Sequence, residues 1–221
     1  MSPADRRPEL VQAALRVIAA SGVNAATTRA IVAEAGMSLA SFHYAFESRD
    51  AMMRDLIEFV VEHETDAAVP RLEPGSDVRS VIRTSLHGYL DGVRADPGRE
   101  QVMFELMQYA LRTPALAGLP VEQYSHYRSA VTGLLEGAAS ALGVRWTLPV
   151  DDVARMVVTI TDGLTLAWLA DRDDAAADRV IEFAAESLAA LAAPLDPADP
   201  TPADPAPSDP PTALPTKETA E

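Results

Sequence analysis

At 221 residues, 48% hydrophobic and 23% charged, the chain can bury a sizeable core as one large domain or two modest ones. It has no cysteine, which excludes disulfides and thiolate metal sites and fits a reducing compartment. A net charge of −15 weighs against a nucleic-acid partner, but the charge is unevenly spread. Residues 1–50 balance five arginines (Arg6, Arg7, Arg16, Arg29, Arg49) against five acids, while residues 194–221 hold six acids and the lone lysine, Lys217.

The N-terminus has no long apolar run ahead of a cleavage site. No stretch reaches the roughly 18–20 uninterrupted apolar residues that span a bilayer. Neither a signal peptide nor a membrane span is therefore expected, and the expected location is cytoplasmic. Helix-period apolar spacing recurs along the chain, and no alternating run bounded by hairpin turns stands out. The expected fold class is all-α.

In chain order, Leu10, Ala13, Ala14, Val17 and Ile18 make a first helical stripe that Ser21-Gly22 ends. Thr27 is a natural N-cap for the next helix, and Gly36 closes it. Ser38 caps a short helix over residues 38–44, and Ser48 caps a longer one over about 49–66, with Asp50 in its first turn. Pro70 and Pro74 interrupt the chain. A helix from Val78 to about Asp96 follows, then one over 99–112 with Met103, Leu106, Met107, Ala110 and Leu111 inward. Further helices are expected over about 121–142, 150–171 and 174–193. From Pro194 the composition changes: nine of the last 28 residues are proline, without apolar periodicity, so the tail should be disordered or polyproline-like.

The stretch EAGMSLASFHYAF, residues 34–46, places Phe42, His43 and Tyr44 in a row on one helix. A helix turns about 100° per residue, so the three cannot all face one core. Phe42 shares a side with Phe46, four residues on, and these two with Ala33 are expected in the core. His43 and Tyr44 take the neighbouring faces. Helix, glycine turn and short capped helix form a helix-turn-helix pattern, in which the second helix enters the major groove. An ordinary helical hairpin is the plainer alternative.

Three features together resemble the TetR family of one-component transcriptional repressors: the first helix ending in a small residue plus glycine; Thr27-Thr28-Arg29-Ala30-Ile31-Val32-Ala33; and the run Met37-Ser38 through Phe46-Glu47-Ser48-Arg49-Asp50-Ala51-Met52. The match covers about residues 6–56. It departs from the family pattern at Ala40, a usual glycine; at His43, a usual tyrosine, followed by Tyr44; at Ala45, a usual histidine or tyrosine; and at Arg49, a usual lysine.

The resemblance implies a three-helix helix-turn-helix domain over residues 1–50, a helical effector-binding and dimerisation domain over 51–193, and the tail over 194–221. It implies phosphate contacts from Thr28, Arg29 and Arg49. Ser38, Leu39 and Ser41 would meet base edges or a thymine methyl, and His43 and Tyr44 the backbone and groove wall. Methionines, aromatics and a few polar groups suit an adaptable pocket. The candidates are Tyr89, Met103, Met107, Tyr124, Tyr127, Asp162, Thr165 and Trp168, with His87 and Phe104 in addition. Asp162-Gly163 inside an apolar helix is the most informative pair. The last two helices would pair with a second copy through residues such as Val157, Leu164, Phe183 and Leu188.

Enzyme motifs are missing: no glycine-rich phosphate loop, no G-x-S-x-G and no H-E-x-x-H, and the four histidines have no metal-ligand spacing. No catalytic residue, cofactor or metal is expected. The expected function is a repressor that binds a palindromic operator as a homodimer and is released by a small apolar or aromatic effector. The alternative is a helical small-molecule-binding protein or enzyme with a vestigial helix-turn-helix.

Overall fold

A computed structural model describes residues 3–62 and 75–195. Among the described residues the chain forms α1 (Pro3–Ser21), α2 (Thr28–Glu34), α3 (Leu39–Ala45), α4 (Arg49–Glu62), α5 (Val78–Ala95), α6 (Pro97–Arg112), α7 (Leu119–Leu142), α8 (Val150–Asp171) and α9 (Asp174–Ala189). Short 3-10 turns over Val23–Ala25 and Pro114–Leu116 join α1 to α2 and α6 to α7. The fold is all-α, with one small addition. Strands β1 (Val144–Trp146) and β2 (Ala192–Pro194) pair antiparallel, Arg145 opposite Ala193. Three residues are too few for alternation to register in the sequence. The ribbon takes up residues 192–194, so α9 ends at Ala189 rather than 193, and Pro194 is paired with Val144. The Leu195 N–H donates to the Gly143 carbonyl at 3.0 Å. The rest of the expected tail, and the expected end of α4 over 63–66, lie outside the described residues.

Local chemistry sets the boundaries. Thr27 Oγ1 accepts from the Ala30 N–H, Ser38 Oγ from the Ser41 N–H, and Ser48 Oγ from the Ala51 N–H. Each satisfies an amide that a helix start leaves without an intrahelical partner. Asp77, Asp96 and Asp173 cap α5, α6 and α9 in the same way. The α2–α3 turn depends on Gly36, at φ +63°. With Gly36 left-handed, the Met37 N–H reaches back to the Val32 carbonyl at 2.8 Å, the bond that closes a helix C-terminus.

Two cores result. The first gathers Leu10, Ala14, Ile18, Ile31, Phe42, Phe46, Met52, Met53 and Leu56 with Val102, Met103 and Leu106 of α6. The second packs α5, α7, α8 and α9 around Leu86, Leu90, Val153, Leu164, Ile181 and Leu188. A division at residue 50 therefore cuts through a core, since α4 and α6 pack with α1–α3. Met103, expected in a pocket, belongs to this first core. Ala33 and Leu111, expected inward, are exposed; Ile31, Val32 and Ala110 occupy the buried positions beside them.

Among the described residues one helix, α8, is long and apolar enough to cross a membrane by length and composition. It packs between α7 and α9, and it carries Asp162 and Thr165 among its apolar residues.

Candidate DNA-binding face and effector cluster

The α3 helix separates its aromatics by side. Phe42 and Phe46 are buried, with ring centroids 5.6 Å apart, and His43 meets the Phe42 ring edge-on at 5.8 Å. The outward face carries Ser38, Leu39, Ala40, His43 and Tyr44, with Tyr44 68% exposed. Arg6 of α1 lies 5.6 Å from the centre of the Tyr44 ring. Ser41 is half-buried, and its hydroxyl is 3.0 Å from that of Ser38, so the two form a pair. On α2, Thr28 is half-buried and Arg29 exposed.

Most arginines near this face are already engaged. Arg7 makes a two-point contact with Asp55 at 2.9 and 3.0 Å and lies over the Phe46 ring. Arg16 pairs with Glu9 and Glu34. Arg54 donates to the Ala115 carbonyl. Arg49, expected to hold phosphate, is turned inward. It donates to the carbonyls of Ala26 (2.8 Å) and Val23 (2.9 Å) and to the Tyr109 hydroxyl (2.6 Å), and its guanidinium stacks on the Tyr109 ring. Tyr109 in turn donates to Asp50 at 2.8 Å, and burial together with that bond raises the phenol's pKa. Glu105, one turn earlier on α6, accepts from the Val23 N–H at 2.6 Å. Glu105 and Tyr109 thus fasten α6 to the α1–α2 turn and to the start of α4. Sequence reasoning missed both, because their partners lie 82 and 60 residues away.

In the second core a polar cluster lies where α5, α7 and α8 meet. The Tyr124 hydroxyl donates to Asp162 at 2.5 Å. The Tyr89 and Thr165 hydroxyls are 2.7 Å apart, and the Tyr124 and Tyr127 rings meet edge-on at 5.9 Å. Gln123, which the sequence did not single out, is buried and donates to the Tyr127 hydroxyl. Burial raises the Asp162 carboxyl above its ordinary range, opposed by the bond from Tyr124; the Tyr124 phenol is raised by burial and by Asp162. Five of the eight pocket candidates therefore come together: Tyr89, Tyr124, Tyr127, Asp162 and Thr165. Trp168 does not join them through its polar edge. Its indole N–H donates to Asp174 at 2.9 Å, and Arg172 stacks on its ring at 4.3 Å, so it closes the α8–α9 corner. Met107 and Phe104 are half-buried on α6, and His87 lies 3.8 Å from Asp178 between α5 and α9.

The dimer candidates divide. Leu164 is 2% exposed and Leu188 3%, so both are core residues of the protomer. Phe183 is 71% exposed. Ile181, Ala184, Ala185 and Leu188 turn α9's apolar side inward, which leaves Val180 and Phe183 outside, while Met156 and Leu166 are exposed on α8. A groove of about 410 Å³ runs between the two helices past Met156, Thr159, Ile160, Ser187 and Leu191, with Leu188 in its lining. Val157 is half-buried against the second core.

A short helix set on a buried aromatic pair, joined through a left-handed glycine to a capped preceding helix, is the helix-turn-helix arrangement of a class of DNA-binding proteins. The family comparisons agree. The model for "Bacterial regulatory proteins, tetR family" matches residues 10–56, and that for "BetI-type transcriptional repressor, C-terminal" matches 78–193. The HTH-type nicotine-responsive transcriptional repressor HdnoR of Paenarthrobacter nicotinovorans is 32% identical, covering 79% of this chain and 89% of its own. The multidrug-binding protein EbrR, solved with imidazole, superimposes with a TM-score of 0.63 at 27% identity, over 88% of this chain and 98% of its own. A transcriptional regulator from Rhodococcus shares the fold, with a TM-score of 0.67 at 19% identity over 87% of this chain and 98% of its own. The chain belongs to the TetR family of transcriptional repressors.

Proposed function

We propose that the protein acts in the cytoplasm as a homodimer that binds a palindromic operator through α3 and leaves it when a small molecule occupies the α5–α7–α8 cluster. The observation that carries this reading is the division of α3, with Phe42 and Phe46 buried and Leu39, His43 and Tyr44 outside. That outer face offers apolar contact for a thymine methyl and polar tips for the groove wall. Arg29 and Arg6 supply the phosphate contacts; Arg49 does not.

A protomer reads one half-site, and two-fold pairing supplies the second. Val180 and Phe183 of α9 with Met156 and Leu166 of α8 are the proposed contact with the second copy. Effector responsiveness is supported by the relatives that respond to nicotine or bind multiple drugs. The link from cluster to operator runs through α6. A shift of α6 would move Glu105 and Tyr109, and with them the α1–α2 turn and Arg49. Release follows only if the effector binds the DNA-free shape more tightly than the DNA-bound one.

Selection of duplexes from a random pool tests the operator reading. The expected result is an enriched inverted repeat, lost when Tyr44→Ala and Arg29→Ala are combined. Recovery of no common sequence would overturn it.

A further inference from the structure

Asp162 differs from the other described carboxylates of α5, α7, α8 and α9: those without an ion pair, such as Glu136, Asp152, Asp171 and Glu186, are exposed, and Glu182, the other half-buried one, is paired. Asp91 and Asp174 are held by Arg94, Asp178 by Arg94 and His87, Glu182 by Arg79 and Arg83, and Asp151 by Arg128. Asp162 is half-buried in the middle of α8, and among the described residues it has no ion-pair partner. Its hydrogen bond comes from a neutral phenol, that of Tyr124. A carboxylate withdrawn from water without a counter-charge costs free energy, and one phenol hydrogen bond offsets only part of it.

The groups around it are aromatic rather than cationic. Tyr124 and Tyr127 bring two rings edge to face, and Tyr89 stands one hydrogen bond from Thr165, a turn along α8 from Asp162. Aromatic faces attract cations, most strongly where water is excluded. An anion meets a carboxylate here and no arginine. A metal ion meets too few ligands, since no group of three or more His, Cys, Asp or Glu able to hold one occurs among the described residues.

We infer that the effector is an organic monocation, an amine or quaternary ammonium group on an apolar or aromatic body, whose charge is met by Asp162 among the rings of Tyr89, Tyr124 and Tyr127. This rests on the cluster being the effector site, as proposed above. It adds a positive charge to the apolar or aromatic effector expected from sequence, and it fixes which atoms receive that charge.

Calorimetric titration of the full-length protein tests it without DNA. The probes are nicotine, choline and ethidium, set against a neutral isostere of choline, 3,3-dimethylbutan-1-ol, and neutral aromatic compounds of similar size. The expected result is that the best cation binds at least about tenfold more tightly than any neutral probe. Asp162→Asn, whose amide oxygen still accepts from Tyr124, should abolish that preference while melting as a folded protein. Tyr124→Phe keeps the carboxylate and should keep the preference. Equal binding of neutral and charged probes, an unchanged preference in Asp162→Asn, or binding of no cation would each overturn the inference. Operator release, followed separately, keeps the two readings apart. If neutral aromatics bind and release the operator while cations do neither, the repressor reading stands and the cation inference falls.

Discussion

Arg49 directs its guanidinium to two backbone carbonyls and a phenol, so its loss is felt in folding before it is felt in DNA binding. Arg49→Met should destabilise the protein by about 1.5–3 kcal/mol, the range for hydrogen bonds to a charged donor, read as a lower urea midpoint. Phe42→Ala should cost about 3–5 kcal/mol in the same assay, because it empties a fully buried ring site. Tyr44→Ala should leave the urea midpoint within about 0.5 kcal/mol and weaken operator binding instead, because the side chain is exposed. These three side chains lie within eight residues of one another, yet only two of their positions were legible in the sequence. Phe42 and Tyr44 follow from helix period, which is local. Arg49 takes its place from Tyr109 and Val23, which come near only once α6 has packed on α1. A family pattern that assigns this position to phosphate has no means of registering that neighbour.

Helix starts were legible wherever a Ser or Thr side chain answers its own backbone, as at Thr27, Ser38 and Ser48. The facing of α8 and α9 was not. Leu164, Phe183 and Leu188 are alike as apolar residues, and only the packing of α9 against α5 and α8 decides that Leu188 turns in and Phe183 out. Phe183→Glu should therefore leave the protomer's helicity unchanged and convert the dimer to monomer by sedimentation. The fastening of α9 to α5 and α8 is electrostatic at its start. Asp174 accepts from the Trp168 indole and from Arg94, and these bonds hold its carboxyl below the ordinary value of 3.8. A carboxyl depressed in the folded state adds stability above the unfolded value and loses it as pH falls through the folded one. Asp174→Asn should accordingly melt below wild type at neutral pH. The gap should close as pH drops below 3.8, followed by tryptophan fluorescence.

The molecule as a whole carries −15 charges, yet the face proposed above would have to read a polyanion. The balance of five arginines and five acids over residues 1–50 was legible in the sequence; how the arginines are used was not. Arg7 and Arg16 are tied to carboxylates and Arg49 to backbone, which leaves Arg6 and Arg29 without such bonds on this face among the described residues. Two such arginines per protomer give a dimer a shallow salt dependence, with log K falling against log salt at a slope of about −3 to −4. The two cores share α7, which gives Leu119 to the first and Leu135 to the second, rather than meeting at residue 50, and α6, fastened to the first core by the Glu105 and Tyr109 bonds, also touches α5 and α8, which is the route proposed above for coupling the two. Pattern in the sequence located the helices; it did not show that one of them belongs to both halves.

The most direct test is fluorescence anisotropy of the full-length protein on its selected operator and on a shuffled duplex, at two salt concentrations, with wild type and the Arg29→Ala, Tyr44→Ala double variant. Tight binding of the operator alone, with the shallow slope given above and lost in the variant, is the predicted result. Equal binding of both duplexes, or a double variant that still distinguishes them, would contradict α3 and Arg29 as the surface that reads DNA.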